Sequence, residues 1–328
     1  SSPSSVGLQY SKIKVLLMFA LLSMGAIVAL SVFRNTVKNE REFKNKINGK
    51  LLGCVSYERK TNPIKDLFVK KKDGLLINTN AFVSTKFVES FNRIVAKIEH
   101  HKLKDGSKVF AITSFAAKLE HRRNRSNDKV YAITSVAENE GKSTVSSNLA
   151  LSLARKGNKV LLMDMDGKKP AIYKLFGCSY MENSELGALF NGEIPNNSYR
   201  LRRYKKTSLF LAINTRAYAN SHKWIENGVA KRTISSLRKH VDYIIIDTAP
   251  ISVDSSVSEI IKLADKTILV VKTDTIEAPT INDAITTITD ISDNLIGCIL
   301  NQTPPDIPIA SFTGAGDDSK HSRKYRYF

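Results

Sequence analysis

The sequence predicts an α/β fold, a doubly wound and mainly parallel sheet preceded by one transmembrane helix. Three observations carry that reading. From residue 129 onward, short apolar strands alternate with helical segments, the pattern of a parallel sheet covered on both faces. A glycine–lysine loop and three aspartates stand at the carboxyl ends of those strands, where open parallel sheets bind their ligands. Residues 15–33, VLLMFALLSMGAIVALSVF, are nineteen positions without a charge, close to the roughly 20 apolar residues that span a bilayer core.

Only Ser23 and Ser31 interrupt that run, so it lacks the polar face of a core helix. No small-residue cleavage site followed by a mature domain marks it as a signal peptide. Lys12 and Lys14 precede it, whereas Arg34, Lys38, Arg41, Lys44, Lys46 and Lys50 follow. The heavier basic flank stays cytoplasmic. Residues 1–14 are therefore expected outside and everything after 33 in the cytosol. The opening SSPSS reads as the truncated end of a longer extracytoplasmic region.

The formal net charge is +19, and residues 34–129 hold 23 Lys and Arg against 10 Asp and Glu. Basic side chains beside an anionic inner leaflet gain roughly 1 kcal/mol each. Anionic membrane lipid is thus the expected partner of this stretch. Nucleic acid is not, because no recognition motif or aromatic–basic interleaving accompanies the charge. Cys54, Cys178 and Cys298 are far apart and lack C-x-x-C spacing, as reduced cytosolic thiols do.

Residues 34–83 form a basic juxtamembrane region and linker that contains the short apolar KLLGCVSYE. The domain proper spans 84–328. It opens on a helix, STKFVESFNRIVAKIEHH, with Ser84 or Thr85 as its cap and Phe87, Phe91, Ile94, Val95 and Ile98 on one face. An internal repeat follows: 97–114 aligns without gaps to 118–135, with nine of eighteen positions identical. Each copy reads as helix end, polar turn and strand. Beyond it the strands are KVYAITS, KVLLMDMD, YIIIDTAP, KTILVVKTD and LIGCILN, with helices at STVSSNLALSLARKG, SVSEIIKLA and TINDAITTITDIS between them.

The chemistry is concentrated at SVAENEGKST, residues 135–144. A strand that turns into a helix presents backbone N–H groups and the helix dipole to an anion. Gly141 permits close approach, Lys142 can reach the β- and γ-phosphates, and Ser143 can ligate Mg²⁺. Asn139 stands where many such loops have Gly, and Asn tolerates positive φ better than most residues. Val136 replaces the outer glycine of the full G-x-x-x-x-G-K-[ST] pattern, but the strand–loop–helix context keeps the phosphate-binding reading. Glu138, Asn139, Glu140, Gly141, Lys142, Ser143 and Thr144 are the expected nucleotide contacts. Asp164, Asp166 and Asp247 supply carboxylates at neighbouring strand ends, as a Mg-nucleotide enzyme needs.

Together these segments resemble the bacterial tyrosine kinase (BY-kinase) family, which is built on the P-loop scaffold of the partition and division-site ATPases. The resemblance rests on Gly141-Lys142-Ser143-Thr144, Asp164-Met165-Asp166 and Asp247-Thr248-Ala249-Pro250, and covers roughly residues 80–328. The apolar helix and NTVKNEREFKNKINGKLLGCVS are similar to the end of the chain-length determinant region that accompanies these kinases. The resemblance implies ATP and Mg²⁺ as cofactors. It implies catalytic roles for Lys142, Asp164 and Asp166, with Asp164 assisting the attacking hydroxyl. Ser143, Asp166 and Asp247 would serve the metal, and Asn301 would lie near the adenine. It further implies phosphoacceptors at Tyr325 and Tyr327 in a tail of about 312–328, and a role in exopolysaccharide or capsule export at the bacterial inner membrane. The implied partners are the polysaccharide polymerase and export machinery, a cognate phosphatase and further copies of the chain.

Three departures stand out. Lys168 occupies the arginine of D-x-D-x-R, keeping the charge but losing a planar two-pronged donor. Starting from Glu89, the oligomerising pattern E-x-x-R-x-x-R meets Asn92 and Val95, with Arg93 out of register. The usual glycine- and proline-rich segment is missing between 200 and 225. Two other readings are a partitioning-type ATPase and a catalytically weak scaffold that regulates chain length. The first is disfavoured by Ala137, where that class carries an extra lysine.

Overall fold

The computed structural model describes residues 5–58, 76–77, 83–104 and 128–304. Tyr325, Tyr327, the first repeat copy's strand and most of the repeat turns lie outside them. The eight strands described form one sheet in the order β1-β8-β7-β2-β6-β3-β5-β4. These are β1 (Leu51–Ser56), β2 (Val130–Ser135), β3 (Val160–Asp164), β4 (Arg202–Arg203), β5 (Leu209–Ala212), β6 (Tyr243–Asp247), β7 (Lys266–Lys272) and β8 (Leu295–Thr303). All neighbours are parallel except β4 and β5.

The strand sequences explain the layering. VYAITS and YIIID are buried at every position, as strands covered on both faces must be. Along β2, Tyr131 and Ile133 point to one core while Val130 and Ala132 point to another. On the first face lie α3 (Thr85–Lys104) and α4 (Lys142–Arg155). The apolar stripe of α3 buries Phe87, Phe91, Ile94, Val95 and Ile98, and Ser84 Oγ accepts from Phe87 N at 3.2 Å, as a capping residue does. The opposite face carries α8 (Val229–Leu237), α9 (Ser256–Leu263) and α10 (Ala278–Ile291). Shorter helices α5 (Ile172–Phe176), α6 (Leu186–Phe190) and α7 (Lys223–Glu226) fill the connections between β3 and α8.

The five strands expected after residue 129 are β2, β3, β6, β7 and β8. Two features differ from the expectation. The KLLGCVS segment of the juxtamembrane region is β1, which pairs with β8 at the sheet edge. This pairing needs Gly297, with φ 145°, because a Cβ there would sit 2.3 Å from the Lys50 carbonyl oxygen. The basic stretch around 202–212 folds as the β4–β5 hairpin, the one antiparallel pair among the described strands.

The chain upstream of β1 is tied to the same edge. Asn39 caps α2 (Glu40–Lys46), accepting from Glu42 N at 2.9 Å, and Phe43 is fully buried. The buried Thr36 hydroxyl donates to Asp274 Oδ1 at 2.5 Å, and Asp274 N donates to Val37 O at 2.9 Å. Before it, α1 (Ser5–Phe33) runs as one helix through the apolar run. Its side chains from Ile13 to Ile27 are exposed, Leu16 by 74%. Among the described residues no helix is long and apolar enough to cross a membrane. The described side chains of α1 stop at Ile27, short of the end of the run.

Candidate active site

Between β2 and α4 the chain makes a tight loop. Asn139 (φ 62°) and Gly141 (φ 87°) both take the left-handed conformation. Glycine is needed at 141 for a second reason: a Cβ would meet Asn301 Nδ2 at 2.3 Å. This geometry brings the first turn of α4 and the loop amides around one point, the arrangement that binds phosphate. Lys142 is the first residue of α4 and is 8% exposed.

A cavity of about 260 Å³ opens above the loop. Of the residues expected from sequence, Glu138, Asn139, Gly141, Lys142, Ser143, Thr144 and Asp166 line it. Ala249 and Pro250 of the D-T-A-P segment line it too. Four expected residues sit behind this wall instead: Glu140, Asp164, Asp247 and Asn301, all buried. Asn301 Nδ2 donates to Glu140 O at 2.8 Å, so its amide braces the loop.

The buried carboxylates have distinct surroundings. Asp164 Oδ1 accepts from Asp166 N at 3.2 Å, and its Oδ2 accepts from Ala171 N and Ile172 N, both at 3.3 Å. Burial, then the neighbouring Asp247 and Asp166 charges, push its pKa well above the usual range. Asp247 Oδ1 accepts from Ser146 Oγ at 2.7 Å, while Oδ2 is buried with no hydrogen-bond partner among the described residues. Burial raises its pKa to about 6, opposed by the Lys142 ammonium and the Ser143 and Ser146 hydroxyls. Asp166 has one oxygen engaged, with Oδ1 accepting from Lys169 N at 2.9 Å.

Sequence reasoning did not single out Lys169, Lys174 or Ser146. Lys168, Lys169 and Lys174 line the cavity. Lys169 Nζ pairs with Glu138 at 2.7 Å across the mouth, a hydrogen bond that holds the Glu138 carboxyl below its usual range. Lys168 Nζ pairs with Asp254 Oδ2 at 3.0 Å. Burial raises the Asp254 carboxyl, but Ser256 and Lys168 outweigh it and the net shift is downward. The signal was present in DGKKP, where two adjacent lysines follow the acidic pair. Ser146 is legible only as the residue one turn beyond Lys142.

The residues fit a magnesium nucleotide. Ser143 and Asp166 stand in the cavity, and the Ser143 hydroxyl acts on the buried Asp247 carboxyl, whose Oδ2 has no hydrogen-bond partner among the described residues. Among the described residues no group of three or more His, Cys, Asp and Glu is placed to hold a metal.

A strand–loop–helix phosphate cradle on a doubly wound sheet, with carboxylates at adjacent strand ends, defines a ParA-type P-loop NTPase. The family model described as "ParA: NUBPL iron-transfer P-loop NTPase" matches residues 127–305. Among curated relatives, the tyrosine-protein kinase CpsD of Streptococcus agalactiae is 28% identical over 199 residues, covering 58% of this chain and 81% of its own. CpsD of Streptococcus pneumoniae serotype 4 is 30% identical over 167 residues, covering 51% and 73%. In solved structures, the BceF tyrosine kinase domain matches with a TM-score of 0.64 at 20% identity, over 82% of this chain and all of that one (100%). The chimerical protein CapA2B2 matches with a TM-score of 0.63 at 20% identity, over 81% and 100%. These two likenesses concern the fold. The chain belongs to the bacterial tyrosine kinase family of ParA-type P-loop NTPases, and it is a protein-tyrosine kinase by that membership.

Proposed function

We propose that the protein is a membrane-anchored tyrosine autokinase that transfers the γ-phosphate of ATP to Tyr325 and Tyr327 of its own tail, on a neighbouring copy, and so regulates exopolysaccharide or capsule assembly. One observation carries the chemical part: Lys142, Ser143 and Asp166 face one cavity, and the buried Asp247 beside the Ser143 hydroxyl has an oxygen without a hydrogen-bond partner among the described residues. Residues 15–33 serve as the anchor in this reading, and the catalytic domain faces the cytosol. The export machinery and a cognate phosphatase are its expected partners.

Catalysis in this site is mainly positioning and charge neutralisation. Loop amides and the N-terminus of α4 cradle the phosphates, and Lys142 adds a cation where charge develops on the transferred group. Ser143 and Asp166 would hold Mg²⁺, with Asp247 behind them, and the ion would supply charge neutralisation of the transferring phosphoryl group. Asp166, exposed to the cavity, is the carboxylate that can meet the attacking tyrosine hydroxyl. Asp164, whose two oxygens accept three backbone amides, holds the 165–172 loop in place.

The test is mass spectrometry of the full chain in detergent after incubation with Mg-ATP, beside Lys142→Met and Tyr325→Phe/Tyr327→Phe. Phosphotyrosine on the tail of the parent, absent from both variants, is the expected outcome. Nucleotide binding without any phosphotyrosine in the parent would instead favour the regulatory scaffold.

A further inference from the structure

Glu140 is a fully buried carboxylate in the middle of the phosphate loop, and nothing so far gives it a task. Its Oε2 accepts from Ala137 N at 2.8 Å and its Oε1 from Lys272 N at 3.1 Å. Its own carbonyl accepts from Asn301 Nδ2 at 2.8 Å. We propose that Glu140 is a positioning residue for phosphoryl transfer, fixing the phosphate loop to the ends of β7 and β8 before nucleotide arrives. This inference rests on the ATP-site reading above and deepens it.

Burial alone drives this carboxyl toward its neutral form, and backbone amides with the nearby Lys142 charge work against that. A hydrophobic residue of similar size would close the same space without a buried charge. What an apolar side chain cannot do is accept two backbone N–H groups from different segments. Ala137 belongs to the start of the loop and Lys272 is the last residue of β7, so the two carboxylate oxygens join segments 135 positions apart in sequence.

The join has a direction. Lys272 is the register partner of Asn301 across β7 and β8, and Thr273 N donates to Asn301 O at 3.0 Å. Glu140 is thereby held from its side chain by one strand and from its carbonyl by the next. The next residue is Gly141, whose left-handed turn leads directly into Lys142 and the cradle. Ala137 N–H is thereby satisfied inside the loop. A cradle fixed in advance loses less order when the nucleotide binds, and a misplacement of about 1 Å can lower a rate by roughly 10²-fold.

Glutamine separates the two roles a buried acid could have. It fills the same volume but has one acceptor oxygen, so one of the two backbone amides faces an NH₂ group. A control for plain destabilisation exists at the other end of β2. There Asp265 Oδ2 accepts from Lys129 N at 2.7 Å and Val130 N at 2.8 Å, far from the loop. Asp265→Asn weakens a buried-edge carboxylate that also pairs with Arg238, and so lowers stability without touching the cradle.

The experiment is titration of Mg-ADP by calorimetry, and of the ATP dependence of autophosphorylation, on the full chain in detergent. Parent, Glu140→Gln, Asn301→Ala, their double variant and Asp265→Asn are compared at a temperature where circular dichroism shows all five folded. Glu140→Gln and Asn301→Ala are each expected to weaken Mg-ADP binding about 10-fold and to raise KM for ATP while lowering kcat. Their effects combine less than additively because they hold one loop. Asp265→Asn melts earlier but binds like the parent. Parent-like affinity and kcat in Glu140→Gln overturn the inference, as does equal weakening in Asp265→Asn. A parent that binds no Mg-ADP overturns the ATP-site reading itself, and this inference with it.

Discussion

Asp164 and Asp247 end two adjacent parallel strands in register, so two carboxylates stand side by side in the protein interior. They are not equivalent. Both Asp164 oxygens accept backbone amides, whereas one Asp247 oxygen has no hydrogen-bond partner among the described residues.

The first prediction follows from that asymmetry. Burial raises the Asp247 carboxyl from 3.8 to about 6, so the folded state binds this proton more tightly than the unfolded chain does. Stability is then lost as pH rises from about 4 to 6, with an upper bound near 3 kcal/mol above that window. Without nucleotide, the protein should melt at a higher temperature at pH 5 than at pH 7.5. Asp247→Asn should reduce that difference, the remainder coming from Asp164, and should stabilise the protein at pH 7.5 while abolishing phosphorylation. A parent whose melting temperature rises steadily over this range would contradict the assignment.

Lys142→Met should reduce autophosphorylation by at least about 10²-fold, the usual scale for losing one charge stabiliser of a transferring group. Circular dichroism and melting temperature should change little, because the ammonium makes no ion pair in the unliganded protein among the described residues. Phosphotyrosine immunoblotting and radiolabel transfer check this directly. Undiminished labelling would move the phosphate site elsewhere.

Gly141→Ala should destabilise the protein by roughly 1–3 kcal/mol, combining left-handed strain with the clash against Asn301. Urea unfolding measures it. Asn301→Ala placed on top should recover part of the loss, since it removes the clashing amide but not the strain.

Gly297→Ala tests the unexpected edge strand. The added methyl collides with the Lys50 carbonyl, a backbone atom that cannot rotate aside. Hydrogen exchange should accelerate at 51–56 while 130–135 and 243–247 stay protected. Uniform loss of protection would mean that β1 is integral to the whole core.

The central strands were legible because their apolar runs are short, bounded by glycine, proline and acid, and buried on both faces. The α3 stripe and its Ser84 cap were legible for the same reason: local sequence carries local periodicity. The edge strand β1 was not, since its burial alternates irregularly and its partner lies at the far end of the chain. The β4–β5 hairpin was hidden by its charges, as RLRRYKK reads like a solvated loop. In the site, the motif located Lys142, Ser143 and Asp166 in the cavity. It could not separate wall from lining: Glu140 and Asn301 look like ligands in sequence, yet their polar groups turn away to neighbouring backbone.

The pairing of β1 with β8 also sets an order of events during synthesis. Thr303 Oγ1 donates to Val55 O at 3.1 Å, across 248 positions of chain. When a ribosome has just delivered β1, its partner is not yet made. β1 must wait with an unpaired edge while β2, β3, β6 and β7 assemble, and long-range closure of this kind is slow. β1, the earliest strand among the described residues, is therefore among the last to dock, and aggregation or chaperone capture competes most strongly in that interval. A nascent chain stalled just before residue 295 should expose the 51–56 segment to protease, and release of the completed chain from the ribosome should hide it.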